Sequence, residues 1–258
     1  MYRSFTAPFT ASGRSALVPP PPWHYAGWLI NVAFTCDPAQ GAQLLPPARG
    51  RLTGRGCVHF ADWQACSDGG IELLDPVYAQ YRETIVVLES ETPSGERLNF
   101  CPFIYVDQDV SLLRGLLQGW PKKMGRTWLT RSLPLDHAAA APLTAGTALG
   151  ASLCVKDRRL LEARLVLTGE PGPALGFFAA PTLGAVGWPD LRDAQALPEP
   201  HFVRSRIDRR VEAGWHAATA QLTLTDHPVE ELGLLGPLQT GDASVGWAAL
   251  TVVGAADA

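Results

Sequence analysis

Two adjacent lysines, Lys122 and Lys123, stand in a stretch that is otherwise apolar, in a chain where lysine is scarce. Side by side and partly desolvated, each ammonium disfavours protonation of the other, and burial acts in the same direction. An amine held neutral in this way attacks a ketone and forms an imine. A lysine pair is also what a solvated turn presents. Leu112, Leu113, Leu116, Leu117, Trp120 and Met124 surround this one in sequence and favour the chemical reading.

The segment 105–125 predicts how the pair is presented. A strand ends at Tyr105-Val106, and a helix covers 108–118. Val110, Leu113 and Leu117 share one helical face, with Leu112 and Leu116 beside it. The helix stops at Gly119, and Pro121 then fixes the backbone before the lysines.

Elsewhere, residues 1–24 read as an irregular arm containing the stiff run Pro19–Pro22. A β run covers Trp28 to Cys36. Asp37-Pro38 starts a short helix, Asp as N-cap and Pro in the first turn, and Pro46-Pro47 ends it. Strands are expected at 56–63, 81–90, 97–106, 124–131, 145–156, 159–168, 202–212, 216–225 and 243–253, with one short helical piece near 228–235. Strands outnumber helices, and the links are too short for regular βαβ units. The pattern predicts a mainly β (α+β) fold, antiparallel, with one or two packed helices. The turn-rich stretches Glu170–Pro173 and Ala194–Pro200 do not separate two self-sufficient cores, so 1–258 reads as a single domain.

Composition excludes several function classes. The chain has 258 residues, 47% hydrophobic and 18% charged, with a net charge of -4. It lacks the basic footprint of a nucleic-acid binder. Its five cysteines are odd in number and form no CxxC pair, so reduced thiols fit better than a zinc site or disulfide framework. The N-terminus lacks the apolar core of a signal peptide. No apolar run reaches the roughly 20 residues that cross a bilayer. A cytoplasmic location without membrane attachment is expected. Six histidines are scattered without metal-ligand spacing, His24 and His59 being the two worth watching. Phosphate-cradling glycine motifs are absent. Ser67 and Ser111 sit in no nucleophile elbow, and Cys66 and Cys101 read as small apolar packers. No cofactor and no metal are implied.

Trp120-Pro121-Lys122-Lys123-Met124-Gly125 resembles the aromatic-Pro-Lys-Lys-Leu-Gly signature of the acetoacetate decarboxylase family. Tyr105-Val106-Asp107 is similar to that family's Tyr-Leu-Asp strand end, and Tyr81-Arg82-Glu83 to its Tyr-x-Glu motif. Asp37-Pro38 with Leu44-Leu45-Pro46, and Asp226 to Leu232, resemble its early and late segments in matching order. The resemblance implies an antiparallel β cone or barrel with the lysine inside. It implies Lys122 as nucleophile, Lys123 as the cationic neighbour that activates it, and Glu83 for proton transfer or for orienting the imine. It also implies a homo-oligomer.

Two positions depart from the decarboxylase pattern. Gly27 stands where that pattern has an arginine, and Ala61 where it has a second glutamate. Asp62 falls on the opposite strand face. Gly27 leaves room for Tyr25, His24 or Trp28, or for a larger substrate. Members of the wider family use the same lysine for aldolase-dehydratase chemistry. Pyruvate or a related 2-oxo acid forms the imine, the derived enamine adds to an aldehyde, and water leaves. Gln118 is a candidate carboxylate donor or alternatively a helix cap. Trp120, Tyr25, Trp28 and Arg114 complete the candidate substrate contacts, although a helix arginine is more commonly exposed. Decarboxylation of acetoacetate or another 3-oxo acid is the alternative enzyme reading. A non-catalytic small-molecule binding module on the same fold is the alternative from another class.

Overall fold

A computed structural model describes residues 2–45 and 50–258. Pro46-Pro47, the expected end of the first helix, lies outside the described residues.

The first helix, α1 (Pro38–Gly41), is capped as expected: the Asp37 carboxylate accepts from the Ala39 amide at 2.8 Å, with Pro38 in the first turn. It follows β1 (Trp23–Thr35), which begins at Trp23, so the irregular arm is shorter than its sequence suggests. β2 (Arg51–Ser67), β3 (Gln80–Glu91) and β4 (Arg97–Val106) then form a meander with β1. These strands read as near-continuous apolar runs because both of their faces are covered. The second helix, α2 (Asp109–Leu117), leads into β5 (Lys122–Met124), which lies parallel to β4.

β6 (Arg126–Leu129), β7 (Ala148–Val155) and β8 (Arg158–Pro171) make an antiparallel limb, followed by β9 (Thr182–Val186), β10 (His201–Leu224) and β11 (Gln239–Asp257). The sheet runs β11-β1-β2-β3-β4-β9-β10, and β10 pairs again with β11, which closes a barrel. β8, β7 and β6 continue from β10 and fold over the barrel's outside. Two cores result. Leu29, Ala61, Trp63, Tyr81, Val106 and Phe178 pack inside the barrel. Trp28, Ile30, Phe60, Val86, Tyr105, Leu153 and Leu161 pack between barrel and limb. No helix among the described residues is long and apolar enough to cross a membrane.

Three differences from the sequence expectation have physical causes. The expected strand 124–131 is two strands, broken at Gly125 as the chain leaves the barrel for the limb. The expected strands 202–212 and 216–225 are one strand, β10, carried through three register shifts against β11. β9 was not expected: it has five residues, one of them glycine, and is held by a parallel bridge to β4 and by β10. The late helical piece is a 3-10 turn, Glu231–Leu235.

Candidate active site

β5 sets the direction of both lysines. Lys122 is paired with Ile104 and Lys123 with Tyr105. Ile104 lines the barrel cavity, whereas Tyr105 belongs to the outer core. Strand alternation therefore sends the two amines to opposite sides of the sheet.

Lys122 enters a cavity of about 450 Å³ inside the barrel. Its side chain is 8% exposed. Nζ donates to Glu83 Oε2 at 2.8 Å and to Ser111 Oγ at 2.9 Å, and lies 5.3 Å from the centre of the Tyr81 ring. The other oxygen of Glu83 accepts from Trp63 Nε1 at 2.8 Å. Burial, and then Glu83, push the Tyr81 phenol well up, so it remains a neutral donor. Lysine, carboxylate and aromatic walls thus meet in one apolar chamber, an arrangement suited to moving a proton between an amine and a carboxylate.

Lys123 is not the facing cation expected from the pair. Its side chain is 49% exposed, and Nζ donates to Glu230 Oε2 at 2.6 Å. Tyr105 donates to the same oxygen at 2.7 Å. Burial pushes Glu230 up, but hydrogen bonds from Lys123 and Tyr105 outweigh it and hold its carboxyl below the usual range. Lys123 thus ties β5 to the segment before the last 3-10 turn.

Gln118 caps the helix and also stands in the cavity wall. Nε2 donates to the Arg114 carbonyl at 3.1 Å and caps α2, while the residue lines the cavity and Oε1 accepts from Ser205 at 3.2 Å. Arg114 is not an exposed helix residue. It is 2% exposed, Nε and one terminal nitrogen have no protein partner, and its guanidinium lies 5.5 Å from Trp23 and 5.6 Å from Tyr25. Tyr25 also lines the cavity. Burial raises its phenol, and the neighbouring Arg114 and Gln118 oppose this. Trp120 lines the cavity edge-on to Phe177, with ring centres 6.4 Å apart. Trp28 does not reach it. Alternation along β1 turns Trp28 outward, where it is 1% exposed, packs on Trp247 and donates to the Thr130 carbonyl at 2.9 Å.

The departures at Gly27 and Ala61 also resolve. Gly27 opens no hole: a Cβ there would meet the Trp63 ring at 2.4 Å and the Asp62 carbonyl at 2.6 Å. The indole that fills this space is the one bonded to Glu83. Ala61 lies directly across the sheet from Glu83 and presents only a methyl group. Asp62 faces away and pairs with Arg82 and Arg131. His59 is buried under Phe177, with ring centres 4.3 Å apart, and bonds Asn31 at 2.8 Å. Burial pushes it down to about 3, so it is neutral. His24 bonds Thr251 away from the cavity.

Three contributors escaped the sequence reading: Trp63, Ser111 and Gly115. A Cβ on Gly115 would lie 2.3–2.6 Å from Cγ, Cδ and Cε of Lys122. Ser111 and Gly115 are four residues apart and share one face of α2. The glycine passes the lysine stem and the serine receives its tip. The spacing was visible, but nothing in it marked this face as the one against the lysine.

Lys123→Met is expected to leave the cavity intact and to destabilise the fold by about 1–2 kcal/mol at pH 7. Lys123 is half exposed and partly screened, while Glu230 keeps one buried donor. Because the folded Glu230 value is depressed, the pair's contribution is full above the ordinary carboxylate range and is lost as pH falls through the depressed value. Urea melts of both proteins at neutral and acid pH should therefore converge at the acid end. A constant difference would place the effect elsewhere.

The model of the family described as acetoacetate decarboxylase matches residues 6–257. No curated protein matches the chain. Among solved structures, the enduracididine biosynthesis enzyme MppR, complexed with the condensation product of pyruvate and imidazole 4-carboxaldehyde, is 28% identical. The alignment has a TM-score of 0.90 and covers 100% of this chain and 97% of MppR. An acetoacetate decarboxylase-like enzyme from Sphingomonas wittichii RW1 shares the fold at 23% identity and a TM-score of 0.88, covering 99% of this chain and 100% of its own. Acetoacetate decarboxylase from Legionella pneumophila does so at 15% identity and 0.74, covering 93% and 88%. With the family match spanning nearly its whole length, the chain belongs to the acetoacetate decarboxylase family.

Proposed function

We propose that the chain is a Schiff-base lyase of the aldolase-dehydratase kind, joining pyruvate or a related 2-oxo acid to an aldehyde with loss of water. The observation that carries this reading is Lys122, buried in an apolar cavity with its amine on Glu83. The similarity to MppR, whose structure holds a pyruvate–aldehyde condensation product, supports the substrate class. Five unpaired thiols suit a reducing cytoplasm.

Glu83 takes a proton from Lys122, and the neutral amine adds to the ketone carbon of the oxo acid. Loss of water gives the imine. Glu83, after releasing its first proton with that water, removes one from the methyl carbon and leaves an enamine. The enamine carbon bonds to the aldehyde carbon while a neutral donor such as Tyr81 protonates the aldehyde oxygen. Tyr81, left as the phenolate, then takes a second proton from the former methyl carbon while Glu83 gives its proton to the hydroxyl group, which leaves as water, and both residues are reset. Hydrolysis of the imine then frees an unsaturated 2-oxo acid and restores Lys122. The substrate carboxylate is placed against Gln118 and Tyr25 in the cavity wall, with Arg114, two of whose nitrogens lack a protein partner, behind Tyr25.

Decarboxylation of a 3-oxo acid would pass through the same imine. It has less support, because a bare methyl at Ala61 and an indole over Gly27 replace the charged pair of the decarboxylase pattern. Borohydride added with pyruvate should fix a mass increment on Lys122, and Lys122→Ala should abolish it. An increment only with acetoacetate, accompanied by carbon dioxide, would favour decarboxylation. No increment with any oxo acid would leave a binding module.

Two variants refine the assignment. Gly115→Ala pushes the lysine stem off its path, so trapping should slow by roughly tenfold or more while the folded state persists, alanine being the better helix former by about 1 kcal/mol. Unchanged trapping would remove Gly115 from the site. Arg114→Leu replaces a buried cation, two of whose nitrogens have no protein partner, by an apolar group. It should raise KM for pyruvate roughly 10- to 100-fold, the worth of a charge-assisted hydrogen bond, with a smaller change in kcat. An unaltered KM would place the carboxylate elsewhere.

A further inference from the structure

The cavity is much larger than a three-carbon oxo acid and falls within the range that holds drug-sized ligands. One part of its wall is built by β9 and β10, which pack against the Gln118-Gly119 turn, and it differs in character from the aromatic part. Thr182, Arg204 and Arg210 line it. Two buried polar atoms there have no protein partner, Thr182 Oγ1 and Arg204 Nε. Both residues line the cavity, and Arg204 pairs across the sheet with Leu183, the residue that follows Thr182.

The arginines are fixed in place. Arg204 donates from a terminal nitrogen to Glu96 at 3.1 Å, which leaves Nε directed elsewhere. Arg210 donates to Glu212 at 2.6 Å and to the Phe178 carbonyl, and its guanidinium lies 5.0 Å over the Phe178 ring. Register shifts between Arg206 and Arg209 interrupt the regular alternation of β10, so Arg204, Ile207 and Arg210 all reach one cavity. Besides the Lys122–Glu83 pair, the wall carries two guanidinium groups, each held by one carboxylate, Glu96 or Glu212, with Nε of Arg204 left without an acceptor. Buried donors without acceptors are costly, and converging ones mark the place of an acceptor.

We propose that this end of the cavity is a second anion site, and that the aldehyde partner carries a carboxylate at the end remote from its carbonyl group. The inference rests on the Schiff-base reading for the identity of the partner. A single negative charge fits better than a phosphate dianion, because Glu96 and Glu212 already offset part of the positive charge. Arg114 then serves the oxo acid, while Thr182, Arg204 and Arg210 serve the aldehyde, and the aromatic walls hold the body between them.

The test uses unreactive probes, so that it does not depend on imine chemistry. Benzyl alcohol and 4-(hydroxymethyl)benzoate are titrated against the wild-type protein by quenching of tryptophan fluorescence, Trp63 and Trp120 being in the wall. The benzoate should bind at least tenfold more tightly, and its advantage should shrink with added salt. In Arg204→Gln/Arg210→Gln the advantage should fall below about threefold, the double loss of charge leaving no strong acid anchor. Thr182→Val, which keeps both cations, should reduce it by a smaller factor and guards against misfolding of the double variant. Equal affinities in the wild type, or an undiminished advantage in the double variant, would overturn the proposal, the latter sending the acid to Arg114. Failure of pyruvate trapping would sink the Schiff-base reading by itself and leave this titration interpretable.

Discussion

A lysine ammonium withdrawn from water needs a carboxylate beside it, and the pair formed by Lys122 and Glu83 is the constraint around which the barrel is arranged. Glu83 lies on β3 and Lys122 on β5, with β4 between them, so the pair spans three strands. Losing either partner of such a buried pair typically costs about 3–5 kcal/mol. The parallel bridge of β5 to β4 fixes the height of the lysine, and α2 lies along its stem. Trp63 occupies the second oxygen of Glu83, which leaves the first for the amine.

The adjacent lysines therefore belong to different layers. Strand geometry gives one to the cavity and the other to the outer core, where Glu230 and Tyr105 receive it. In this arrangement Glu83 and Ser111 bond the inner amine, and the outer amine holds β5 to Glu230.

Much of this was legible in the residues. The order of short motifs pointed to Lys122 and Glu83, and the near-continuous apolar runs gave β3 and β4 closely but only parts of β1 and β2. What was missed depends on contacts between residues distant in sequence. β9 has too few residues to show a period and exists because β4 and β10 flank it. Arg114 looked like a surface residue because helical periodicity does not say that Trp23 and Tyr25 cover that face. The outward turn of Trp28 was in principle readable, since it is one residue from Gly27 and alternation separates them. Trp63 was hidden because its partner is 20 residues away, across the β2–β3 pair.

The barrel divides its labour by strand. β3, β4, β5 and α2 hold the lysine and its carboxylate, whereas β9 and β10 supply a further part of the cavity wall. β10 is also irregular, and its extra residues are taken up locally in register shifts without disturbing the β3–β4 ladder around Glu83. A lineage carrying this fold can accumulate replacements, and even insertions, along one wall while the buried amine keeps its coordinates. New shapes of cavity become reachable by gradual variation, and each intermediate sequence retains the buried pair of Lys122 and Glu83.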